Sequence, residues 1–341
     1  MWRRFGNVTN TPSVAIIGCG LIGKKRAHAL CDCKLRFCCD YVYERADSLS
    51  EEVSGAEPAT NWKAVVQHPA ADIVIVATTH NMLAPIAEAA VRNGKHVLIE
   101  KPGAMRAHEL DAVHKAAEES GVQVRVGFNH RYHPAIVHAR ELAIHGVIGD
   151  LMYVRGHYGH GGRLGYGKEW RADPKLSGGG ELLDQGAHLI DLARWFLGDF
   201  TEVQGHTKTY FWDMPVEDNA FLALKTLAGQ TAHLHASWTE WKNTFSFEVF
   251  GQKGKLEVNG LGGSYGTEQL TLYSMTESMG PPATATWEHP IPDMSWESEF
   301  ADFLDDIRLH RAPTPGIQDA QAVLRIVEQV YAGQVAPQTA A

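Results

Sequence analysis

Two side chains four positions apart could handle a proton. Asp184 and His188 lie in the stretch GGGELLDQGAHLID at residues 178–191. In a helix this spacing places a carboxylate and an imidazole on one face. An imidazole with a pKa of ~6.5 suits the removal of a hydroxyl proton, and a carboxylate beside it can orient it. A surface helix can carry the same pair by chance, so both interpretations stay open.

Lys101 is a third candidate, in the tripeptide Glu100-Lys101-Pro102 that follows the apolar run 96–99. Ligands of open α/β sheets bind at the carboxyl ends of the strands, where this lysine is expected. Taken alone, a Lys-Pro pair is more typical of a surface turn. If a nicotinamide cofactor accepts the hydride of an alcohol, the protein must position it and take up the hydroxyl proton.

A glycine fingerprint indicates where such a cofactor would bind. Gly18, Gly20 and Gly23 follow the apolar run 14–17 and open a helical pattern. In that context the first glycine permits a tight turn, the second leaves room for a pyrophosphate and the third lets helix and strand approach. Asp40, twenty positions after Gly20, would bind a ribose diol and repel a 2′-phosphate. NAD is therefore favoured over NADP; Tyr41 agrees, whereas the nearby Arg45 keeps NADP open.

The elements around these residues predict two domains. Apolar strands alternate with helical patterns up to about residue 128, which predicts an α/β domain with a doubly wound parallel sheet. Beyond it, alternating runs at 219–227 and 231–241, and at 245–250 and 255–258, predict antiparallel hairpins. We expect a dinucleotide-binding domain at 1–129 and an α+β domain at 130–341, with the option that the final helices pack back on the first domain.

Composition excludes several classes of function. The 341 residues carry a net charge of −9 and no run of Lys or Arg, which argues against a nucleic-acid or membrane partner. No segment reaches the ~20 apolar residues of a membrane helix, and residues 1–13 lack the apolar stretch of an export signal. Five cysteines, all between residues 19 and 39, are typical of reduced thiols, so we expect a cytoplasmic protein.

The motifs together resemble the glucose–fructose oxidoreductase / inositol dehydrogenase (Gfo/Idh/MocA) family. The resemblance covers nearly the whole chain and rests on VAIIGCGLIG, Asp40, IEKPGA, GFNHRY and GGGELLDQGAHLIDLARWFLG. It implies a Rossmann domain followed by an open-faced, mainly antiparallel sheet, usually joined to another subunit through that face as a homodimer or homotetramer. It also implies that His188 is the general base, that Lys101 polarises the substrate or relays protons, and that Asp184 orients the hydroxyl or His188.

The cofactor contacts expected from the fingerprint and the resemblance include two threonines. The family usually carries T-P-N-x-x-H after the fourth strand, whereas this chain has Thr78-Thr79-His80-Asn81-Met82-Leu83 and lacks the proline and the trailing histidine. The predicted cofactor-binding residues are Gly18, Cys19, Gly20, Leu21, Ile22, Gly23, Asp40, Tyr41, Thr78, Thr79, Glu100, Lys101 and Asn129.

The segment 155–171 supplies the substrate hypothesis. It is rich in glycine, cations and rings, as in a mobile loop that binds a hexose bearing an anionic group, for example a nucleotide sugar; an ordinary surface loop is an equal alternative. The predicted substrate-binding residues are Lys101, Arg131, Tyr158, Arg163, Trp170, Arg171, Asp184 and His188, although Asn129 and Arg131 would also suit packing between domains. A zinc site from His157, His160, Asp184 and His188 is a weaker alternative among 18 histidines, and we predict no metal.

These expectations favour an NAD-dependent dehydrogenase that oxidises a ring hydroxyl of a sugar, a sugar derivative or a cyclitol. One alternative is a glycosidase that uses bound NAD for a transient oxidation. Another is a non-catalytic sugar or NAD sensor on the same fold, which could dispense with Lys101 and His188.

Overall fold

The computed structural model describes residues 11–53, 55–290 and 292–333. The expectation about an export signal concerned residues 1–13, most of which lie outside these ranges, as does the polar tail. The chain divides into two compact units, Met1–Phe128 with Trp296–Gln321 and Asn129–Ser295 with Ala322–Ala341. Each unit has its own sheet.

The first unit contains a six-stranded, wholly parallel sheet in the order β3-β2-β1-β4-β5-β6. Its strands are β1 (Ser13–Ile17), β2 (Lys34–Cys39), β3 (Glu57–Ala59), β4 (Ile73–Val76), β5 (His96–Glu100) and β6 (Val124–Gly127). Strand order reverses between β1 and β4, which is where doubly wound sheets bind ligands.

Helices cover this sheet because its central strands are apolar and buried on both faces. They are α1 (Leu21–His28), α2 (Tyr43–Glu52), α3 (Trp62–Gln67), α4 (His80–Arg92), α5 (Glu109–Ser120) and α9 (Ser295–Leu309). Phe300 and Phe303 of α9 belong to the same buried cluster as Val14 and Ile16 of β1. A late helix thus completes the core of the first unit.

The second unit contains an eight-stranded sheet in the order β14-β13-β12-β11-β7-β10-β9-β8. All neighbours are antiparallel except β7 and β10. The strands are β7 (Leu151–Gly159), β8 (Phe200–Lys208), β9 (Asn219–Thr226), β10 (Thr231–Ser237), β11 (Thr244–Gly251), β12 (Gly254–Asn259), β13 (Glu268–Ser274) and β14 (Ala283–His289). The α-helices are α6 (Pro134–Ile144), α7 (Pro174–Ser177) and α8 (Ala187–Leu197), and α10 (Ile317–Ala332) begins in the first unit and ends in the second. The predicted fold class, a doubly wound domain followed by a mainly antiparallel one, is confirmed.

The prediction of a continuous loop over residues 155–171 is wrong in part. Residues 155–159, the first five of that segment, belong to strand β7. The misleading signal came from two glycines that the sheet itself requires. A Cβ on Gly156 would lie 3.0 Å from Leu189 of α8 and from Leu234, and one on Gly159 would lie 2.2 Å from the carbonyl oxygen of Ser237. Even-numbered residues of β7 therefore face α8, and odd-numbered residues point to the opposite, open face.

Within the described ranges, no helix combines the length and the apolar character that crossing a bilayer requires.

Candidate active site

Of the three glycines of the fingerprint between β1 and α1, two are required by the fold and one is not. Gly18 has φ of +99°, and a Cβ there would lie 2.3 Å from the carbonyl oxygen of Ala77. A Cβ on Gly23 would lie 1.9 Å from the carbonyl oxygen of Gly18. At Gly20, the residue before α1, an added Cβ would meet no atom within 4 Å. The space at Gly20 is open at a helix N-terminus, which is where backbone N–H groups favour an anion.

Asp40, directly after β2, holds this loop. One carboxylate oxygen accepts a hydrogen bond from the backbone N–H of Cys19 at 2.9 Å, and the other accepts one from Val42 at 2.9 Å. Tyr41 beside it is 83% exposed, and the guanidinium of Arg45 lies over its ring at 5.9 Å. The predicted ribose-binding aspartate is therefore also a support of the glycine loop.

The carboxyl ends of β4 and β5 bring the other predicted cofactor contacts to the same edge of the sheet. Thr79 is the residue before α4, and its hydroxyl lies 2.7 Å from the side-chain oxygen of Asn81. His80, where the family pattern has asparagine, is buried as the first residue of α4. Thr78, which would lie beside a Cβ on Gly18, has its hydroxyl 3.2 Å from the carbonyl of Thr79.

Lys101 stands at the end of β5, next to a buried ion network that the sequence analysis missed. Glu100 accepts a hydrogen bond from Arg26 of α1 at 2.6 Å, and Arg26 also pairs with Glu299 of α9 at 2.7 Å. Burial lowers the pKa of Arg26, but the two carboxylates outweigh it and the net shift is upward. Glu100, predicted to bind the cofactor, is thus used within the fold and fixes the end of the strand that carries Lys101. The peptide bond between Lys101 and Pro102 is cis.

The residues of this edge fit a dinucleotide. The open cradle at Gly20 lies at the start of α1, and Asp40, Thr78 and Lys101 lie one or two residues beyond the ends of β2, β4 and β5. This is the crevice at which doubly wound sheets bind nucleotides. The geometry suits a pyrophosphate at the helix N-terminus and a ribose near the acidic side chain.

In the second unit, Asp184 lies in a single turn of π-helix, Leu182–Gly186, that leads directly into α8. Such turns are rare and occur frequently at functional sites. The carboxylate of Asp184 accepts a hydrogen bond from Arg171 at 2.8 Å. Burial lowers the pKa of Arg171, but its carboxylate partner raises it overall, so this arginine stays charged.

His188, in the first turn of α8, lies among rings. Its own ring is 5% exposed; the ring of His130 meets it edge-on at 3.6 Å, and that of Tyr158 lies 6.3 Å away. Burial raises the pKa of Tyr158 well above its usual value, with the neighbouring Tyr265 adding to it, so this phenol stays protonated. His130 was not among the predicted site residues, and its place in the GFNHRY motif is the signal in the sequence that could have indicated it.

The three glycines before this helix are explained by protein atoms. Gly178 has φ of +78° and ends α7. A Cβ on Gly179 would lie 2.1 Å from the hydroxyl of Tyr331, and one on Gly180 would lie 2.1 Å from the carbonyl oxygen of Glu217. The Glu217 carboxylate accepts hydrogen bonds from the N–H of Gly180 at 3.1 Å and from the Tyr331 hydroxyl at 2.7 Å. The run thus lets the start of the Asp184 turn pack against a half-buried carboxylate.

Two residues of the GFNHRY motif form internal contacts. Arg131 makes two hydrogen bonds, of 2.8 and 2.6 Å, to the buried carboxylate of Asp191 in α8. The amide of Asn129 donates to the hydroxyl of Ser295 at 2.9 Å. Both side chains are more than nine-tenths buried, which favours the packing interpretation over contacts to substrate or cofactor.

The remaining predicted substrate residues lie between β7 and α7. Arg163 is exposed and pairs with Glu169 through contacts of 2.8 and 2.9 Å. Trp170 stacks with Arg171, whose guanidinium lies 4.6 Å from the ring centre. Of the predicted substrate residues in this unit, Arg171 therefore contacts Asp184, and Tyr158 contacts His188. Arg163 contacts neither of these catalytic candidates in the described contacts and lies on the surface.

Comparison with known proteins agrees with this geometry. A family model described as "Oxidoreductase family, NAD-binding Rossmann fold" matches residues 13–128, and one described as "GFO/IDH/MocA C-terminal domain" matches residues 136–257. The chain belongs to the Gfo/Idh/MocA oxidoreductase family. Its first unit is the NAD-binding Rossmann domain of that family.

Several relatives in this family are named for sugars or a cyclitol. Levoglucosan dehydrogenase of Pseudarthrobacter phenanthrenivorans is 29% identical over 238 residues, which cover 64% of this chain and 59% of that protein. D-xylose 1-dehydrogenase (NADP(+)) 2 of Haloferax volcanii is 27% identical over 84% of this chain and 85% of its own length. The scyllo-inositol 2-dehydrogenase (NAD(+)) of Bacillus subtilis is 26% identical over 72% of this chain and 73% of its own length.

Among solved structures, levoglucosan dehydrogenase in complex with NADH has a TM-score of 0.85 at 22% identity, covering 95% of this chain and 98% of that one. Aldose-aldose oxidoreductase of Caulobacter crescentus has a TM-score of 0.82 at 25% identity, with coverages of 95% and 97%. At 22% identity the first likeness establishes the fold.

Proposed function

We propose that this protein is an NAD-dependent dehydrogenase that oxidises a ring hydroxyl of an uncharged sugar or cyclitol. The observation that carries the proposal is the pair His188 and Asp184, presented on a π-turn and the helix after it, together with Lys101 at the cofactor-binding edge of the first sheet. The family membership and the names of the relatives support the same reaction class.

The residues divide the chemistry as follows. NAD, when bound at the edge of the first sheet, would supply the hydride acceptor. His188 takes up the hydroxyl proton, and its burial among His130 and Tyr158 keeps bulk water away from that transfer. Asp184, held by Arg171, orients the hydroxyl or the imidazole, and Lys101 polarises the substrate oxygen. Because Tyr158 stays protonated, it serves as a hydrogen-bond donor and leaves the role of base to His188.

The choice of an uncharged substrate follows from where the arginines are used. The hypothesis of an anionic sugar depends on the cations of segment 155–171. Arg163 pairs with Glu169, Arg171 pairs with Asp184, and Arg155 pairs with Glu248 on the open face of the sheet. An anionic group would have to displace a carboxylate from each guanidinium, which disfavours sugar phosphates and nucleotide sugars.

A substrate screen that follows NADH absorbance tests the proposal. Neutral sugars and cyclitols are expected to reduce NAD, with kcat/KM at least 10-fold above that of their phosphorylated or nucleotide-linked counterparts. Lys101→Met and His188→Asn are each expected to lower kcat by 10²–10⁴-fold with NAD affinity retained. Lys115→Met is the matched control, because that lysine side chain is 74% exposed on α5.

Two other results would each replace the proposal. Cleavage of a glycoside with co-purified NAD and without net NADH would identify an NAD-dependent glycosidase. Binding of sugar and NAD with no turnover, unaffected by Lys101→Met, would identify a sensor. Activity with NADP alone would contradict the inference from Asp40.

We also propose a cytoplasmic homodimer or homotetramer that assembles through the open face of the second sheet. The five cysteines are all free thiols, which supports a reducing compartment. Mass measurement by light scattering tests the assembly, and a monomer at micromolar concentration would contradict it.

A further inference from the structure

A row of rings crosses four adjacent strands on the open face of the second sheet. His157 of β7 stacks on His235 of β10 at 5.1 Å, His235 on Phe221 of β9 at 4.2 Å, and Phe221 on His206 of β8 at 5.2 Å, with the planes within 13° of parallel. These four side chains line a groove of about 630 Å³. The carboxylate of Glu240, three residues beyond β10, lies 2.8 Å from Nε2 of His157. The end of the row therefore has two imidazoles and a carboxylate whose ligand atoms lie within 4.8 Å of one another.

We propose that His157, His235 and Glu240 bind a divalent transition-metal ion, zinc being the ion that best suits these donors. One ligand atom of each residue lies within 4.8 Å of the others. Two imidazoles and a carboxylate, with water in the fourth position, form a donor set that Zn²⁺ accepts in tetrahedral geometry. His157 and His235 are direct partners in the register of β7 and β10, so the backbone already fixes their spacing.

Hydrogen bonds behind the site determine which nitrogen of His235 is available. The amide nitrogen of Asn219 donates to the buried carboxylate of Asp218 at 3.0 Å and to the hydroxyl of Thr239 at 2.9 Å. Since a carboxylate only accepts, the Asn219 oxygen must be the atom that faces Nε2 of His235, at 3.0 Å. Nε2 of His235 therefore carries the proton and Nδ1 presents a lone pair. A ligating histidine whose second nitrogen donates to a carbonyl is the usual arrangement behind a metal.

The charges around the cluster are compatible with a cation. A guanidinium on the same face of β7, that of Arg155, is held by Glu248 through two hydrogen bonds of 2.8 Å.

The site is separate from the proton-handling residues. His157 points to the open face of β7, whereas its neighbour Tyr158 points to α8 and His188. The zinc alternative weighed from the sequence combined His157 with His160, Asp184 and His188; the geometry assigns His157 to a different set of ligands.

Titration of the metal-free full chain with Co²⁺ and then Zn²⁺ tests the proposal. We expect one equivalent of Co²⁺ to give the visible absorption of a tetrahedral site, without the sulfur-to-cobalt charge-transfer band that thiolates produce, and Zn²⁺ to displace it. His157→Gln and His235→Gln are each expected to weaken Zn²⁺ binding by at least 100-fold, and Glu240→Gln by at least 10-fold. Asn219→Ala is expected to weaken it by about 10–100-fold, because it removes the acceptor behind His235.

His233→Gln is the matched control, since His233 lies on the same strand and face, is exposed, and falls outside the cluster. NAD affinity and thermal unfolding of each metal-free variant establish that it has folded, because none of these residues is placed in the catalytic machinery. The proposal is overturned if the wild-type chain does not bind Zn²⁺, or if His233→Gln weakens binding as much as His157→Gln. A thiolate charge-transfer spectrum that persists in the His157→Gln variant would overturn it too, because it would assign the metal to the cysteines.

Discussion

The two glycines at the start of α1 allow the cofactor site to be tested apart from the fold. In Gly20→Ala the added methyl meets no protein atom within 4 Å, so the metal-free, cofactor-free protein is expected to fold normally. Alanine is a poorer residue than glycine before a helix, but it lowers the entropy of the unfolded chain by the equivalent of ~0.4–1 kcal/mol. These effects oppose each other, so the free energy of unfolding should stay within about 1 kcal/mol of the wild-type value.

The same methyl group should weaken the binding of NAD. It would project into the space at the N-terminus of α1 that we assign to the pyrophosphate, and we expect the Kd for NAD to rise at least 10-fold, or about 1.4 kcal/mol. Gly23→Ala is the contrasting variant, because its methyl would lie 1.9 Å from a backbone oxygen and the loop must move. Overpacking of this kind costs about 1–3 kcal/mol or more, and here we expect at least 3.

Urea unfolding without cofactor and calorimetric titration with NAD measure the two quantities separately. The expected pattern is normal stability with weak NAD binding for Gly20→Ala, and low stability for Gly23→Ala. A Gly20→Ala protein that binds NAD as tightly as the wild type would refute the reasoning, because the open space would then not be the place of the pyrophosphate.

Three further predictions concern stability. His96 is partly buried and accepts a backbone hydrogen bond, and burial is the main cause that lowers its pKa to about 4. The free energy of unfolding should therefore fall, by roughly 2 kcal/mol, as the pH drops from ~6.5 through 4. His96→Gln should flatten that part of the pH profile measured by urea unfolding. Glu299→Ala should lower the free energy of unfolding by about 3–5 kcal/mol, because it removes one of the two carboxylates that hold the fully buried Arg26; an unfolding midpoint equal to that of the wild type would contradict this. Gly180→Ala would place a methyl 2.1 Å from the carbonyl oxygen of Glu217, so we expect lower stability and lower turnover together; a change confined to KM would argue against a displaced helix.

The parts of the fold that local patterns specify could be predicted from the sequence. The expected final helices are present as α9 and α10, and the hairpins expected at 219–241 and 245–258 are present as β9–β10 and β11–β12. Apolar periodicity and turn residues are local signals, so they survive in a single sequence. Strand β8 was missed, because it lies at the sheet edge and alternates half-buried with exposed residues.

Long-range contacts could not be predicted in the same way. The parallel pairing of β7 with β10 joins residues about 80 positions apart, and nothing in either segment specifies it. The partners of charged residues could not be predicted for the same reason. Glu100 and Arg171 were expected to contact ligands, but Glu100 pairs with Arg26 and Arg171 pairs with Asp184, each within its own unit. A sequence shows that a charge is present but not whether the fold has already neutralised it.

Those partners bear on what the chemistry demands of the protein. A base that takes a proton from an uncharged hydroxyl needs a fixed position and a preorganised electrostatic environment. It does not need an unpaired cation that would bind a charged substrate. Arg171 provides this for Asp184, and the Arg26 network holds the end of the strand before Lys101. Breaking either pair would leave a buried or half-buried charge uncompensated, which costs more than the pair gains and would shift the proton-handling groups. The internal ion pairs therefore argue for a substrate that brings hydroxyl groups rather than charge.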